Sequence, residues 1–478
     1  MKHVLLSSPL CGRLSFLCLI VPLVLLPLAG ATVSTTAEFD AWMAQHHKMY
    51  GSADEKAQRY QHWLKAYERV QQHAHPHYSL GLNEMSDWSP AEHAQRLPRG
   101  GALDHFGSER RIGFHIPAGW RRKFVDEFRA SHPRVFDGRD EPPPPHEVDW
   151  RDPRKNPKQV KGVTSIRNQL FCGGCYSFGV VAAVEGVVAA DRGCLNALSD
   201  EQIIDCDAAN NGCEGGDPQI ALTYVVDQPL VAKSDYPFNA GKGHASQCAL
   251  NEAVAPASQV QSYLYVQPCD ETVLMQAVAR GPVVVAIDAY CDAFMQYSGG
   301  VLSDSCVDVA GAAAAGTTSM DAVCEDSLNH AVAIVGYGAD GNTGLKYWII
   351  KNSWGTSWGE RGFARVLRGG GTEGEEGKDC GVGCLEYYNF LPTGGVAFVN
   401  GTAFSDNDFP KGDMDEDAQR ELFFMDILVG MAVVLAVLMV MSVPKLRRQQ
   451  VQSGAEPLLQ LEDKEEEDDE RGVTTLAN

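Results

Sequence analysis

The chain is short of positive charge. Its 40 lysine and arginine residues stand against 62 aspartate and glutamate residues, which gives a formal net charge of −22. A nucleic-acid-binding protein needs a basic face, so this composition argues against a nucleic-acid partner. Internal repeats are also lacking. With 478 residues the chain exceeds one ordinary domain, and about 150 residues per domain predicts several units.

Cysteine is missing from two long stretches. None lies between Cys18 and Cys172 and none follows Cys384, so the twelve cysteines outside the N-terminal segment all fall within residues 172–384. In an oxidising compartment such a cluster indicates disulfide bonds. If one of the twelve is a reactive thiol, eleven remain, and at least one more cysteine is unpaired or pairs outside the chain.

The N-terminus has the pattern of a secretory signal peptide over residues 1–31. Lys2 and Arg13 supply positive charge, residues 14–28 form an apolar run, and residues 29–31 are small enough for cleavage. An uncleaved signal anchor is the alternative, but two prolines interrupt the run and it is short for a membrane span. We therefore expect the chain to enter the secretory pathway.

Composition divides the rest of the chain into five regions. The first is polar, helix-patterned and rich in histidine, and its Arg-, Gly- and Pro-rich linker closes on four consecutive prolines. Such a linker should be extended and polyproline-like. The regions are the first region with its linker (32–146), a cysteine-rich body (147–392), a short acidic stalk (393–421), a hydrophobic segment (422–443) and an acidic tail (444–478) that we expect to be disordered.

The hydrophobic segment 422–443 is predicted to be a transmembrane helix. At about 1.5 Å per residue it can cross a hydrocarbon core of about 30 Å. Lys445, Arg447 and Arg448 follow at once, and the positive-inside rule places them in the cytoplasm. The body then faces the lumen or the cell exterior, together with the glycosylation sequon at Asn400. A buried core helix is the alternative.

A pair of cysteines precedes a long apolar run in the body. Two glycines separate Cys172 from Cys175, and residues 180–190 are apolar. This pattern predicts a buried helix that begins near Cys175, with a strand as the alternative. A helix N-terminus lowers a thiol pKa and favours the nucleophilic thiolate, and Gln169 could donate its side-chain amide to an oxyanion. Taken alone, the cysteine pair also fits a redox couple or half a metal site.

Two later segments add a histidine and an asparagine to this cysteine. His330 begins an apolar, strand-like run, and Asn352 follows a second strand-like segment into a turn rich in Trp and Gly that contains Trp354. A lone histidine is more often structural than catalytic. Together, however, a cysteine nucleophile, a histidine base and an amide that orients the imidazole have the logic of a Cys-His-Asn catalytic site.

These segments resemble the papain family of cysteine proteases over about residues 147–392. The resemblance implies that Cys175 is the nucleophile, His330 its base and Asn352 the residue that orients the histidine, with Gln169 and the amide of Cys175 at the oxyanion. It implies neither a cofactor nor a metal. It also implies a set of substrate-binding positions, which include a shielding tryptophan, loop glycines and the walls of the second subsite: Gly215, Gly216, Asp217, Pro218, Ala286, Ala331, Trp354 and Leu385.

The sequence departs from the family pattern at several positions. Gly174 stands for the usual Ser or Ala, Tyr176 for Trp and Glu214 for Asn, and an insertion at about 307–326 lengthens the spacing between cysteine and histidine. Asp217 stands where an apolar or aromatic residue is usual. We expect its carboxylate to turn to solvent; the alternative is that it recruits basic side chains of the substrate.

The resemblance also implies three disulfide bonds. They are Cys172–Cys213, Cys206–Cys248 and Cys306–Cys380. The remaining cysteines have no implied partner, and we expect them to form two more bridges and to leave one free thiol: Cys194, Cys269, Cys291, Cys324 and Cys384.

The first region resembles a cathepsin-L-like inhibitory propeptide. Six residues from Glu55 to Ala74 recur at spacings of three and four, which predicts one face of a helix, and residues 81–87 match the next motif of such propeptides. The resemblance implies that this pro-region runs through the cleft and blocks Cys175, and that cleavage falls near His146.

Histidine is concentrated in the pro-region. Eleven of the 14 histidines of the chain lie between residues 32 and 146. Because imidazole ordinarily titrates near pH 6.5, we hypothesise that acidification charges these residues and loosens the pro-region. A solvated, histidine-rich surface is the alternative.

The sequence therefore predicts an α+β, papain-like two-domain fold with a helical left domain, a β-barrel-like right domain and a helical propeptide. The expected function is a cysteine endopeptidase, since no paired-histidine loop of a carboxydipeptidase is present. Its partners would be protein or peptide substrates, its own propeptide and a membrane, in a lysosome-like or vacuolar compartment or at the cell surface. Two alternatives are a catalytically weak, membrane-anchored binding protein and a thiol–disulfide oxidoreductase that uses Cys172 and Cys175.

Overall fold

The structure, a computed structural model, describes residues 35–97, 135–250, 253–306, 324, 327–369, 380–399 and 402–403. The predicted signal peptide, most of the linker, the Asn400 sequon, the hydrophobic segment 422–443 and the acidic tail lie outside these residues. Within the described part of the chain, no helix is both long and apolar enough to cross a membrane.

Eight α-helices lie in the described ranges. Their starts follow ordinary capping chemistry: Ser52 accepts a hydrogen bond from the Glu55 amide at 3.1 Å, and Ser89 and Glu92 form a reciprocal capping box. The helices are α1 (Thr35–Gln45), α2 (Ala53–Gln72), α3 (Pro90–Arg96), α4 (Cys175–Arg192), α5 (Asp200–Cys206), α6 (Pro218–Asp227), α7 (Glu271–Arg280) and α8 (Asp292–Met295).

The strands of the described residues form one twelve-stranded sheet. Its order is β1-β7-β10-β9-β8-β6-β11-β5-β2, with β3 on β8, β4 on β5 and β12 on β11. All pairs are antiparallel except β7–β10 and β2–β5. The strands are β1 (Tyr78–Leu80), β2 (Val135–Phe136), β3 (Val148–Asp149), β4 (Leu230–Val231), β5 (Pro256–Val266), β6 (Val283–Ile287), β7 (Tyr297–Leu302), β8 (His330–Ala339), β9 (Lys346–Lys351), β10 (Phe363–Leu367), β11 (Tyr388–Val399) and β12 (Thr402–Ala403).

The apolar run after Cys175 forms helix α4, as predicted, and the helix is buried along almost its whole length. Two glycines let it approach the sheet closely. A Cβ at Gly179 would lie 3.1 Å from the side chain of Val284, and one at Gly186 would lie 2.3 Å from Pro282. Since α4 packs against β8 and β11, its first residue, Cys175, comes to the start of β8.

The pro-region has its own small core and docks on the edge of the sheet. Phe39, Trp42 and Trp63 form this core between α1 and α2. Strand β1 pairs with β7 of the body, Tyr78 opposite Gly300. Further along, Trp88 stacks on Phe171 with ring centroids 4.6 Å apart. The predicted helix over the Glu55 motif is confirmed by α2 for every residue of the motif except Ala74, which lies beyond the end of the helix.

Five disulfide bonds join the described residues. Two of them, Cys172–Cys213 and Cys206–Cys248, are the pairs that the resemblance implied. The implied Cys306–Cys380 bond is wrong, because Cys306 lies beside Cys291, and hydrogen bonds of Glu386 to both residues hold Cys380 beside Cys269. The structure has Cys269–Cys380, Cys291–Cys306 and Cys324–Cys384 instead, and it leaves the thiols of Cys175 and Cys194 free.

Candidate active site

Cys175 is the first residue of α4 and is only 4% exposed. The backbone amides of Ala331 and Tyr176 donate towards its sulfur. Burial nevertheless raises the pKa of the Cys175 thiol to about 11, and the amides oppose the shift. In this form of the chain the thiol is therefore protonated at neutral pH.

His330 opens strand β8 one residue before Ala331, so its backbone adjoins the sulfur of Cys175. Its Nε2 donates to Oδ1 of Asn352 at 2.8 Å, which leaves Nδ1 as the basic nitrogen. Nδ1 is buried and has no hydrogen-bond partner among the residues that the structure describes. Burial lowers the pKa of His330 to about 4; the Asn352 contact opposes this shift and the charge of Arg96 adds to it.

Asn352 follows β9 directly and leads into the Trp/Gly turn. Its Oδ1 accepts a second hydrogen bond, from the amide of Ser353 at 2.8 Å, which fixes the orientation of the amide group. The indole ring of Trp354 covers the imidazole of His330, with ring centroids 4.8 Å apart. Asn352, His330 and Trp354 are each at most 2% exposed.

Gln169 is fully buried beside the cysteine segment. Its Nε2 donates to the carbonyl oxygen of Cys172 at 2.8 Å, and its Oε1 accepts the hydroxyl proton of Ser353 at 2.6 Å. A carboxamide has two N–H donors, so one remains available to a developing oxyanion. Ser353 thus links the glutamine to the segment that carries Asn352, a role that the sequence analysis missed.

The structure accounts for two departures from the family pattern next to Cys175. A Cβ at Gly174 would lie 2.8 Å from Ile204 and 3.2 Å from the sulfur of Cys172, so the glycine accommodates its neighbours. Tyr176 is fully buried and donates its hydroxyl proton to the carbonyl oxygen of Gly212 at 3.1 Å. Tyrosine therefore ties α4 to the glycine loop.

The glycine loop needs its glycines for backbone reasons. Gly215 has a φ of 111°, which side-chain-bearing residues rarely adopt. A Cβ at Gly216 would lie 2.5 Å from Oδ1 of Asn210. The Cys172–Cys213 bond and the hydrogen bond from the Gly173 amide to the Cys213 carbonyl, at 2.9 Å, hold the loop against the cysteine segment.

Sheet register gathers several of the expected subsite residues. Ala286 on β6 lies opposite Ala331 on β8 and, on its other side, opposite Tyr388 on β11. Pro218 and Leu385 are buried as well. Their role as walls of a subsite remains a prediction, and no sequence motif indicated that Tyr388 lies beside Ala286.

Asp217 does not turn to solvent, so that expectation is wrong. Its side chain caps the start of α6 by accepting the Gln219 amide proton at 2.6 Å, and Tyr388 donates its hydroxyl proton to the same carboxylate. The residue is 4% exposed, and burial raises the pKa of Asp217 to about 6. The carboxylate of Asp217 is therefore buried because it caps α6 and accepts a hydrogen bond from the buried Tyr388.

A network of buried charges adjoins the chain segments that contain Gln169 and Asn352. Arg167, two residues before Gln169, bridges Asp200 and Glu185 of two helices. Lys351, directly before Asn352, lies 3.8 Å from Glu185 and donates to the hydroxyl of Thr164 at 2.8 Å. Burial lowers the pKa of Lys351 to about 8. The network thus connects the two chain segments that carry Gln169 and Asn352.

Among the residues that the structure describes, no group of three or more His, Cys, Asp or Glu side chains is placed to hold a metal ion. The arrangement instead suits nucleophilic attack on a carbonyl group by a thiol with an adjacent imidazole.

Comparison with known proteins agrees with this chemistry. Residues 144–389 match the model of the papain family cysteine proteases, and residues 39–93 match that of the cathepsin propeptide inhibitor domain. Fruit bromelain from Ananas comosus is 31% identical over 365 residues, which cover 76% of this chain and 88% of that protein. Papain from Carica papaya is 30% identical over 336 residues, 70% of this chain and 81% of that protein.

Solved proforms have the same fold. Digestive procathepsin L 3 from the larval midgut of Tenebrio molitor has a TM-score of 0.56 at 28% identity and covers 76% of this chain and 99% of its own. The proform of the ragweed pollen cysteine protease Amb a 11 has a TM-score of 0.55 at 26% identity, with 75% and 94% covered.

Fold and site together define a cysteine peptidase, a hydrolase of protein substrates that is made as a proform with an inhibitory pro-region. The chain belongs to the papain family. The predicted papain-like α+β fold is confirmed. The oxidoreductase alternative is wrong, since Cys172 is bonded to Cys213 and not to Cys175.

Proposed function

We propose that the chain is an endopeptidase with Cys175 as nucleophile, His330 as base, Asn352 as the orienting residue and Gln169 at the oxyanion. One observation carries this proposal. The Nε2 of His330 is held by Asn352 at 2.8 Å while Nδ1 remains unpaired among the described residues, and the sulfur of Cys175 lies against the amide of the next residue, Ala331.

The reaction has two steps. His330 takes the thiol proton, and the sulfur of Cys175 attacks the peptide carbonyl carbon; the resulting oxyanion receives hydrogen bonds from the backbone amide of Cys175 and from Gln169. His330 then gives the proton to the leaving amine, which produces a thioester. Water, activated by His330, hydrolyses the thioester and regenerates the thiol.

Latency follows from the electrostatics of the proform. Burial raises the pKa of Cys175 to about 11 and lowers that of His330 to about 4, so both groups are neutral between these values. A thiolate–imidazolium pair needs water or a substrate dipole nearby to offset the cost of two buried charges. Departure of the pro-region supplies that solvent access. The described end of the linker has Pro142, Pro143, Pro145 and His146 exposed, which suits the cleavage that releases the pro-region.

The test is an activity assay on the full-length chain. The chain is acidified and offered a fluorogenic dipeptide amide with a hydrophobic residue in the position of the apolar subsite, next to a Cys175→Ala variant as control. Acid-dependent cleavage by the parent chain alone supports the proposal. Silence after proteolytic removal of the pro-region, without labelling of Cys175 by an epoxide thiol probe, would favour the catalytically weak binding protein.

We also propose that residues 422–443 anchor the enzyme as a single-pass type I membrane protein, with Asn400 glycosylated in the lumen or at the cell exterior. The support is the sequence: an uncharged core followed by Lys445, Arg447 and Arg448. A lysosome-like or vacuolar compartment and the cell surface both suit this topology.

Extraction distinguishes an anchor from a peripheral attachment. The chain should remain in the membrane pellet after alkaline carbonate treatment, and a chain truncated after residue 421 should not. Enzymatic removal of N-glycans should shift the mobility of the parent chain and leave that of an Asn400→Gln variant unchanged. Release of the parent chain by carbonate would disprove the anchor.

A further inference from the structure

The pro-region buries an arginine against the wall of the active site. Arg96, the last residue of α3, is 1% exposed. Its guanidinium lies 4.5 Å from the ring centroid of Trp88 and 5.5 Å from that of Trp354. The nearest carboxylate among its described contacts is that of Glu84, at 3.9 Å. A buried guanidinium without a close anion needs good neutral acceptors, and the protease body supplies them.

Two body acceptors contact the guanidinium directly. Nε of Arg96 donates to the carbonyl oxygen of Leu170 at 2.6 Å, and Nη2 donates to Oδ1 of Asn168 at 3.0 Å. With the face of Trp354 they form a cation-binding arrangement of one aromatic ring and two oxygens. All three groups belong to the body and stay when the pro-region leaves.

Contacts within the body hold these acceptors, in addition to a hydrogen bond at 2.6 Å from the Asn168 side-chain amide to Glu84 of the pro-region. Leu170 has a φ of 51°, an unusual conformation for a residue with a side chain, and Oδ1 of Asn168 accepts its amide proton at 3.0 Å. Asn168 and Trp354 form a β-bridge. The Gln169 amide also donates to the Ser353 carbonyl at 2.9 Å. The segment with the oxygens is thus tied to the segment with the indole.

The chemistry of His330 indicates which half of the cleft the oxygens of Leu170 and Asn168 border. A general acid must lie next to the amine that it protonates. Since the ring of Trp354 lies 4.8 Å from that of His330, the part of the substrate beyond the scissile bond passes beside Trp354. The oxygens of Leu170 and Asn168 therefore border the leaving-amine half of the cleft.

We infer that Trp354, the Leu170 carbonyl and Asn168 form a subsite for an arginine side chain on the leaving-amine side of the scissile bond. Arg96 occupies this subsite in the proform, and an arginine of the substrate occupies it in the mature enzyme. The inference rests on the proposed function and adds a substrate class to it: proteins with arginine shortly after the cleaved bond.

Matched peptides test the subsite. Internally quenched peptides carry arginine at each of the first three positions after the cleavage site in turn, and their partners carry citrulline there, which has nearly the same shape without the charge. The acid-activated full-length enzyme should cleave the arginine peptide about tenfold faster in kcat/KM at one of these positions, as expected for two charge-assisted hydrogen bonds and a cation–π contact that are partly solvated. Before the cleavage site the two residues should perform equally.

Variants of Asn168 tie any preference to the proposed oxygens. Asn168→Asp keeps an acceptor for the Leu170 amide and adds a charge, so the arginine-to-citrulline ratio should rise. Asn168→Ala removes the acceptor, and the ratio should fall towards one. Because the ratio compares two peptides on one enzyme, it is insensitive to a general loss of activity from the substitution.

The possible failures are distinguishable. The subsite does not exist, although the protease does, if the arginine-to-citrulline ratio of kcat/KM is one at all three positions. The same conclusion follows if neither Asn168 variant changes this ratio. If no peptide is cleaved, the proposed function fails. The subsite is then tested by binding of the same labelled peptides to the chain after the pro-region has been removed by an added protease: equal affinity for arginine and citrulline peptides overturns it.

Discussion

The hydroxyl group of Tyr388 donates its proton to the buried carboxylate of Asp217, with its oxygen 3.0 Å from Oδ2 and 3.2 Å from Oδ1. This pair joins the start of α6 to strand β11 next to Ala286. Burial makes the charged form of this carboxylate unfavourable and so raises the pKa of Asp217 from an ordinary 3.8 to about 6. Between these two pH values the folded chain binds more protons than the unfolded chain.

Asp217→Asn should therefore stabilise the enzyme at neutral pH. The free energy of unfolding of the parent rises as pH falls from above 6 towards 4, because in this range the folded state binds a proton that the unfolded state does not. Asparagine caps a helix as well as aspartate and carries no charge. The variant should gain up to about 3 kcal/mol at pH 7.5 and lose this advantage at pH 4.

Chemical denaturation at the two pH values measures this difference. Asp227→Asn is the matched control, since it removes one exposed charge from the opposite end of the same helix. An identical pH dependence in the parent and the Asp217→Asn chain would refute a buried, high-pKa carboxylate.

Asn352→Ala should lower kcat by about a hundredfold, since a catalytic group that loses its orientation costs roughly this much. His330 then lacks the acceptor for Nε2. KM should change little, because Asn352 contacts the base and not the apolar subsite. Steady-state kinetics with a dipeptide amide give both constants. Asn342→Ala, in an exposed turn, is the control, and a normal kcat for Asn352→Ala would exclude an orienting role.

His93 should set part of the pH at which the pro-region is released. His93 lies in α3 and packs on Trp88, with ring centroids 5.6 Å apart. Burial lowers the pKa of His93 to about 4; the charge of Arg96 adds to this shift and that of Glu92 opposes it. A released His93 titrates near its ordinary 6.5. Release is thus coupled to proton uptake between pH 6.5 and 4, and docking weakens as pH falls through this window.

The corresponding substitution is His93→Gln, which removes that proton uptake. The pH of half-maximal autoactivation should shift downwards, as measured by the appearance of the mature band after timed acidification. His62→Gln on α2 is the control. If His93→Gln and the parent activate at the same pH, His93 has no part in the switch.

A second group of histidines lies where the pro-region meets the sheet. His73, His75 and His77 lie within 6.2 Å of their neighbours by ring centroids. His75 Nε2 is 3.6 Å from Asp304, and the His77 carbonyl accepts the Val301 amide proton at 2.7 Å. The three rings thus lie at the contact between β1 and β7, and they belong to the histidine-rich region for which the sequence analysis hypothesised acid sensitivity.

The charged and titratable groups around this cluster limit the effect. Tyr78 donates to Asp304 at 2.7 Å, Glu360 reaches the Gly300 amide at 3.1 Å, and Arg69 of α2 pairs with Asp292 at 2.8 Å. Among the described residues, the carboxylate of Asp304 is the one that lies within ion-pair distance of a histidine of this cluster, His75. The triple Gln variant should therefore activate only at lower pH; an unchanged activation pH would rule out this cluster as a sensor.

The buried charge network around Arg167 should contribute strongly to the free energy of unfolding. Arg167→Met leaves Glu185 and Asp200 without their main partner, and such a loss costs about 3–5 kcal/mol. Urea unfolding should show a large drop in the midpoint, whereas Arg154→Met, which breaks an exposed ion pair with Asp152, should change it little. Equal effects of the two variants would contradict the role of burial.

Local sequence patterns were enough to predict the helix that begins at Cys175 and the strands next to His330 and Asn352. The apolar run after Cys175 has the period and length of a buried helix, and the strand-like runs at His330 and before Asn352 are long and regular. The partners across these elements were not predictable. Ser353 meets Gln169 over a separation of 184 residues and Tyr388 meets Asp217 over 171, and no local period reports such contacts.

The disulfide error and the Asp217 error have the same origin. Pairing Cys306 with Cys380 followed the family, but the folded chain places Cys291 beside Cys306 and Cys269 beside Cys380. Likewise, the burial of Asp217 depends on a tyrosine from the last long strand. Both outcomes are set by tertiary neighbours, which composition and spacing do not encode.

The Cys269–Cys380 bond spans the insertion from one side to the other. A protease that cuts the chain anywhere between residues 307 and 323 would separate Cys175 from His330 and Asn352 along the backbone. The two fragments would nevertheless remain covalently joined through this bond and paired through β6 and β8. Such a cut would give a two-chain molecule whose proposed nucleophile and base reside on different polypeptides, and reducing gels would separate what non-reducing gels show as one band.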